Sequence, residues 1–290
     1  MNILAIETTG KTAGVALVCP SHIIAEFSVN NNKTHSSVLM PLIDAMLKSA
    51  DFDKRDIDYI ACSAGPGSFT GLRIGAAAAK GLAFGLSRRI IPVATLDAMA
   101  YNVFNNTDGE IVVPIMDARR GQVYTALYGW MEDSRPVLKP HSAIFPANFP
   151  SGCVKPSSHI FSEYASSGFP CPVENIARKS DESRFQNRSN LCRLTSYMAC
   201  NFDETAHLVA EMGKTAVFLG DGVAVFRDKI AAMPHARVAP LPHMLQRAAS
   251  VGGLALKIAA EAAVDASDFA PYYIRPSQAE REAEGDNNAN

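Results

Sequence analysis

The chain has 290 residues, 48% of them hydrophobic, enough to bury the core of one large domain or two of ordinary size. Its formal net charge of −2 and pI of about 6.4 give no overall attraction for a phosphate backbone and argue against autonomous nucleic-acid binding. No apolar run approaches the ~20 residues that cross a bilayer, and the start Met1 to Ile6 carries neither a basic leader nor a long hydrophobic region, so a cytoplasmic protein without membrane contact is expected.

In chain order, residues 2–29 predict three strands, Ile3 to Ile6, Ala13 to Val18 and Ile23 to Val29, in an antiparallel meander. From His35 the apolar residues Val38, Leu39, Leu42, Ile43, Met46 and Leu47 recur at helical spacing, with Pro41 acceptable only near the first turn. A strand from Ile57 to Cys62 then runs into Gly65-Pro66-Gly67-Ser68-Phe69-Thr70-Gly71, and a helix of small residues follows to about Gly85. Within this loop Gly65, Gly67 and Gly71 permit close backbone approach, and Ser68 or Thr70 can cap the helix. Such a loop can cradle an anion or serve only to bring two backbones together. It lacks the lysine of a phosphate-binding P-loop and the flanking glycines of a serine nucleophile elbow.

A second strand, Ile111 to Met116, leads to Asp117-Ala118-Arg119-Arg120-Gly121 and a strand from Gln122 to Tyr128. It repeats the strand, acid, turn and strand order of Ile3 to Val18 about a hundred residues later, which points to a duplicated α/β lobe. Residues 136–201 are rich in Pro, Ser and Asn with poor periodicity. A loop-rich insert is expected at about 140–212, disordered around Lys179 to Ser189. Order returns with Thr215 to Leu219, Gly220-Asp221-Gly222, a helix to Ala232 and an alanine-rich helix from Ser250 to Ala263. The expected division is 1–104, 105–276 and a flexible tail, 277–290. The six cysteines form neither C-x-x-C pairs nor a zinc-like spacing, so reduced thiols are expected.

Taken together, Ile3-Leu4-Ala5-Ile6-Glu7-Thr8, His35-Ser36 with Leu39, Pro41 and Leu42, the run Gly65 to Gly75, Asp117 to Tyr124 and Pro271-Tyr272-Tyr273-Ile274-Arg275-Pro276 resemble the bacterial TsaB family, also called YeaZ. The resemblance covers roughly residues 1–130 and 215–276. It implies an actin-like ATPase, sugar kinase and Hsp70 (RNase H-like) fold of class α/β, with two similar lobes and mixed sheets. It also implies a non-catalytic subunit in forming N6-threonylcarbamoyladenosine beside the anticodon of tRNAs that read codons beginning with adenosine. The transferase of that system is a paralogue, TsaD, expected here as the heterodimer partner. A TsaE-type P-loop ATPase is a further implied partner, and tRNA is met only through the complex. That paralogue carries an H-x-x-x-H metal motif, at whose aligned positions this chain has Thr95 and Met99, so no metal and no cofactor of its own are expected, with ATP or ADP confined to the complex.

The helix from Leu72 to Leu86 is full of small residues. It reads either as packed on its own sheet or as a face shared with a partner, and the resemblance favours the second. The expected interface is His35, Leu39, Leu42, Arg73, Ala76, Ala77, Lys80 and Phe84, a face that also favours self-association when the partner is absent. Expected nucleotide contacts are Glu7, Asp117, Gly220, Asp221 and Gly222, with Glu7 standing where the family commonly has Asp. The alternative is an ATPase or small-molecule kinase using Glu7, Asp117 and the glycine loops. A metallopeptidase finds no H-E-x-x-H or comparable histidine pair in its favour.

Overall fold

A computed structural model describes residues 1–31, 34–103, 110–131 and 190–274. The first sheet holds β1 (Ile3–Glu7), β2 (Ala13–Val18), β3 (Ile23–Val29), β4 (Tyr59–Gly65) and β5 (Arg89–Ala94) in the order β3-β2-β1-β4-β5. β1 pairs antiparallel with β2 and parallel with β4, from Ile3↔Tyr59 to Ile6↔Cys62. The second sheet is built from β6 (Glu110–Asp117), β7 (Gln122–Thr125), β8 (Tyr128–Met131), β9 (Asn190–Arg193), β10 (Met198–Asn201), β11 (Thr215–Leu219) and β12 (Ala236–Val238). Its main path, β10-β7-β6-β11-β12, repeats the first sheet strand for strand. β6 is antiparallel to β7 and parallel to β11, as β1 is to β2 and β4. The duplicated lobe is thus real, and the architecture is the two-lobed actin-like fold.

β1 is apolar throughout because both of its faces are covered. Ile3 and Ala5 point into one core, Leu4 and Ile6 into another, as the two-residue period of a strand requires. The second core is closed by α1 (His35–Ser49) and α2 (Phe69–Leu86), and α3 (Thr95–Tyr101) follows β5. Pro41 is the seventh residue of α1, beyond its first turn, on the exposed side. α2 ends on Ser87, whose φ of 54° supplies the left-handed cap.

Four expectations are corrected. Of the insert drawn at about 140–212, residues 190–211 are ordered as β9, β10 and α4 (Phe202–Glu211), while the rest of it, Lys179 to Ser189 included, lies outside the described residues, as does the tail 277–290. The strand drawn from Gln122 to Tyr128 is two, broken where the Leu127 amide donates to Thr195 Oγ1 at 2.9 Å. The helix drawn to Ala232 is likewise two short ones, α5 (Gly222–Val225) and α6 (Arg227–Ala231). The alanine-rich helix α7 (Ala248–Ala262), assigned with residues 105–276, packs on the first sheet instead. Its Ala248, Val251, Leu254 and Ala255 join Ile3, Ala5 and Val18 in one core. A Cβ at Gly252 would sit 2.6 Å from Val18 Cγ2, so the missing side chain lets this helix lie against the sheet.

Candidate functional site

Both inner strands end on a carboxylate followed by a turn, Glu7 closing β1 and Asp117 closing β6, and the two lobes come together beside Gly67, whose Cβ position lies 2.6 Å from Thr9 Cβ and 3.2 Å from Met116 Cε. In the first turn the chain closes on itself. The Thr9 amide donates to Glu7 Oε1 at 2.6 Å, Thr9 Oγ1 donates to the same oxygen, and Ser63 Oγ donates to Oε2. Glu7 is 1% exposed. Burial pushes its carboxyl up, outweighing the donors from Ser63 and Thr9 that pull it down. Glu7 is therefore a core group of the first lobe, and its expected contact with a nucleotide is corrected. The longer side chain spends its reach on Ser63 at the neighbouring strand β4.

The glycine loop is occupied by protein. The Ser68 amide donates to the Thr9 carbonyl at 2.7 Å and Thr8 Oγ1 donates to the Gly71 carbonyl at 2.8 Å. A Cβ at Gly71 would lie 2.0 Å from the Thr8 carbonyl oxygen, and one at Gly67 would lie 2.6 Å from Thr9 Cβ. Gly65, at φ +120°, holds the Tyr272 carbonyl where a side chain would stand. Ser68 caps α2, its Oγ accepting from the Gly71 amide at 3.3 Å, and Thr70 is exposed beside it. Between close backbone packing and an anion cradle, the geometry is that of packing.

The second turn is more open. Asp117 Oδ1 accepts from the Arg119 amide at 2.8 Å, and the Asp117 amide faces Asp221 Oδ1 at 3.4 Å. Arg119, Arg120 and Gly121 follow at φ 67°, 55° and 76°, and both arginines are exposed. Burial raises the Asp221 carboxyl and the nearby Asp117 charge adds to this, while the Asp117 amide and the Lys11 ammonium oppose it. Lys11 belongs to the first turn, and its charge acts on Asp221 from across the junction without an ion pair between them. Gly220 and Gly222 are not exposed to it. Both are buried against the Ile115 backbone, where a Cβ at Gly220 would lie 2.1 Å from the Ile115 carbonyl oxygen. Of the Gly220-Asp221-Gly222 turn only Asp221 reaches the junction.

Thr95 and Met99, which the resemblance sets against the paralogue's histidines, are both buried. Met99 Cε packs 2.6 Å from the Cβ position of Gly220, and Thr95 Oγ1 has no hydrogen-bond partner among the described residues. A hydroxyl and a thioether enclosed this way do not fit a hard catalytic cation. Beside them lies a group that spacing gave no means of finding. Asp97, buried on α3, accepts from Tyr128 at 2.6 Å and Tyr197 at 2.8 Å, with Arg193 at 3.6 Å, and so ties the first lobe to the second.

The helical face divides the expected interface residues. Leu39 and Ala76 are buried in the core of the first lobe and Leu42 packs against it, because they lie on the inward stripes of α1 and α2. Leu39 and Ala76 are corrected as surface contacts, while Leu42 is half-buried. His35 is half-buried, with Nε2 2.9 Å from the Gly10 carbonyl, and Lys80 reaches back to the Ser267 carbonyl at 3.4 Å. Arg73, Ala77 and Phe84 are exposed, Phe84 by 85%, and Arg73 stacks on the Phe69 ring at 4.0 Å. With Gly81 and Gly85, around whose Cβ positions nothing lies within 4 Å, they form one open stripe at helical spacing. Among the described residues no helix is long and apolar enough to cross a membrane.

The family model of TsaD, tRNA N6-adenosine threonylcarbamoyltransferase, matches residues 22–282. Similar relatives include the tRNA threonylcarbamoyladenosine biosynthesis protein TsaB of Bacillus subtilis, 44% identical over 44% of this chain and 55% of its own. The TsaB of Escherichia coli is 36% identical over 48% of this chain and 63% of its own. The chain spans about half the length of the curated relatives it matches, 52% for the TsaB of Haemophilus influenzae at 36% identity. Among solved structures, YeaZ from Pseudomonas aeruginosa aligns over 94% of this chain and 99% of its own with a TM-score of 0.61 at 19% identity, a likeness of fold. A second Pseudomonas aeruginosa protein, described as similar to peptidase YeaZ, gives a TM-score of 0.63 over the same shares at 21% identity. The chain belongs to the family that the TsaD model, tRNA N6-adenosine threonylcarbamoyltransferase, describes, and the similar relatives named above are TsaB proteins.

Proposed function

We propose that the chain is a non-catalytic subunit in the formation of N6-threonylcarbamoyladenosine in tRNA, binding and supporting a TsaD-type transferase in the cytoplasm. One observation carries this reading: Thr95 and Met99, packed in the interior, stand where the paralogue's metal ligands align, so this chain supplies binding rather than bond making. The α2 stripe of Arg73, Ala77, Gly81 and Phe84 is the docking face. The lack of side chains at Gly81 and Gly85 leaves room for a partner helix to approach, with Phe84 as an apolar anchor. The same face pairs two copies of the chain when the transferase is absent. A TsaE-type ATPase joins the assembly and tRNA reaches it through the transferase. ATP or ADP within the complex would meet Lys11, Asp117 and Asp221 at the lobe junction, not Glu7.

Reconstitution tests this. The TsaD-type paralogue with threonylcarbamoyl-adenylate and tRNA is assayed for the modified base with and without the chain, and the chain is assayed alone. The proposal expects product to rise when both are present and none from the chain alone. Product from the chain alone, or ATP turnover by it, refutes the non-catalytic role.

A further inference from the structure

The segment Pro271-Tyr272-Tyr273-Ile274 crosses from one lobe to the other, and its side chains alternate between them. On the first-lobe side, the Tyr272 amide donates to the Ala64 carbonyl at 2.6 Å, the Tyr272 carbonyl occupies the space left at Gly65, and the Tyr273 ring packs on Phe69 at 5.0 Å. On the second-lobe side, the Tyr272 ring meets Tyr197 at 6.4 Å, and Tyr272 and Ile274 are buried with Ala199 of β10. This is the two-residue period of an extended chain, with Tyr272 and Ile274 facing one lobe and Tyr273 the other. A run of four apolar or aromatic residues without polar alternation suits such a segment, with Tyr272 and Ile274 buried and Pro271 and Tyr273 half-buried. Its first-lobe anchor is also the start of α2: Phe69 is the first residue of that helix and carries Arg73 on its ring.

We propose that Pro271–Ile274 is an interlobe strap that fixes the start of α2 to β10 of the second lobe, so that the α2 face and the second lobe move as one body. Tyr273 and Ile274 act here as positioning residues. Loosening either end frees the other. The part of this concerning association rests on the docking role proposed above; the strap itself does not.

Amide hydrogen exchange by mass spectrometry on the full chain tests the strap without any partner. Ile274→Ala removes contacts to the second lobe only, yet it is expected to speed exchange across residues 65–74 of the first lobe by roughly tenfold, the scale of one lost apolar or ring contact. Tyr273→Ala is expected to do the reverse, speeding exchange across residues 198–201, and Tyr273→Phe, which keeps the ring, is expected to match wild type. If Ile274→Ala does not fold, Ile274→Val gives the same reading at smaller amplitude. Acceleration confined to the lobe whose contact was cut overturns the strap. In a second arm, Ile274→Ala is expected to weaken association with the TsaD-type paralogue although Ile274 is only 4% exposed. Exchange that crosses the lobes while association stays unchanged supports the strap and counts against α2 as the docking face.

Discussion

Gly71→Ala and Gly81→Ala are the same change in the same helix, and the structure gives them opposite signs. At Gly71 the new Cβ would stand 2.0 Å from the Thr8 carbonyl oxygen and 3.2 Å from its carbon, backbone atoms that cannot rotate away. Relief requires the β1–β2 turn to separate from α2 by more than an ångström. That breaks the hydrogen bonds from Thr8 Oγ1 to the Gly71 carbonyl and from the Ser68 amide to the Thr9 carbonyl. Two hydrogen bonds at about 1 kcal/mol each and about 1–3 kcal/mol of overpacking, less roughly 1 kcal/mol gained from replacing glycine in a helix, leave Gly71→Ala about 2–4 kcal/mol less stable. At Gly81 nothing lies within 4 Å of the Cβ position, so only the helix term remains and the variant gains about 0.5–1 kcal/mol. Urea denaturation followed by circular dichroism reads both midpoints. A neutral or stabilising Gly71→Ala would refute the assignment of the glycine loop as a site of backbone contact, and a destabilising Gly81→Ala would refute the open face of α2.

Ala76→Arg and Ala77→Arg, neighbours on α2, should likewise diverge. The first drives a charge into the core beside Leu39 and is expected to cost more than about 3 kcal/mol, whereas the second leaves the denaturation midpoint within about 0.5 kcal/mol of wild type. Burial raises the Glu7 carboxyl above its ordinary value of 4.5, so its contribution to stability is full below that pH and is lost as pH rises through the folded-state value. Glu7→Gln keeps the acceptor for Thr9 and a partner for Ser63 but does not ionise, so its midpoint should gain on wild type between pH 4.5 and neutrality; parallel pH profiles would contradict the burial of this group. Asp97→Ala leaves the buried Tyr128 hydroxyl without its acceptor and Arg193 without its carboxylate. A loss of about 3–5 kcal/mol by denaturant midpoint is expected.

The parts of the fold that could be read from the sequence are those where one local rule decides. Ile3 to Ile6 and Ile111 to Met116 are short apolar runs ended by an acid and a turn, and they proved to be the equivalent inner strands of two sheets with the same order. β9, β10 and α4 escaped notice because they are short and stand in a Ser- and Asn-rich stretch, and β9 and β10 owe their pairing to β8 and β7 rather than to their own periodicity. No local pattern could say that α7 crosses back to the first sheet, since its small residues suit any close neighbour. Of the expected interface residues, Arg73, Ala77 and Phe84 lie on the exposed face of α2. Leu39 and Ala76 were misplaced because helical spacing identifies a stripe without saying which stripe the sheet covers. Glu7 resembled a ligand-binding carboxylate until Ser63, from a strand 56 residues away, was seen to take its second oxygen.

The central claim is that this chain acts by docking through α2. It is tested most directly by light scattering on an equimolar mixture of the purified chain and its TsaD-type paralogue, with wild type and Ala77→Arg compared at equal stability. A mass equal to the sum of the two chains for wild type, and two separate species for Ala77→Arg, is the predicted result. A complex that survives Ala77→Arg unchanged, or no complex with wild type, contradicts it.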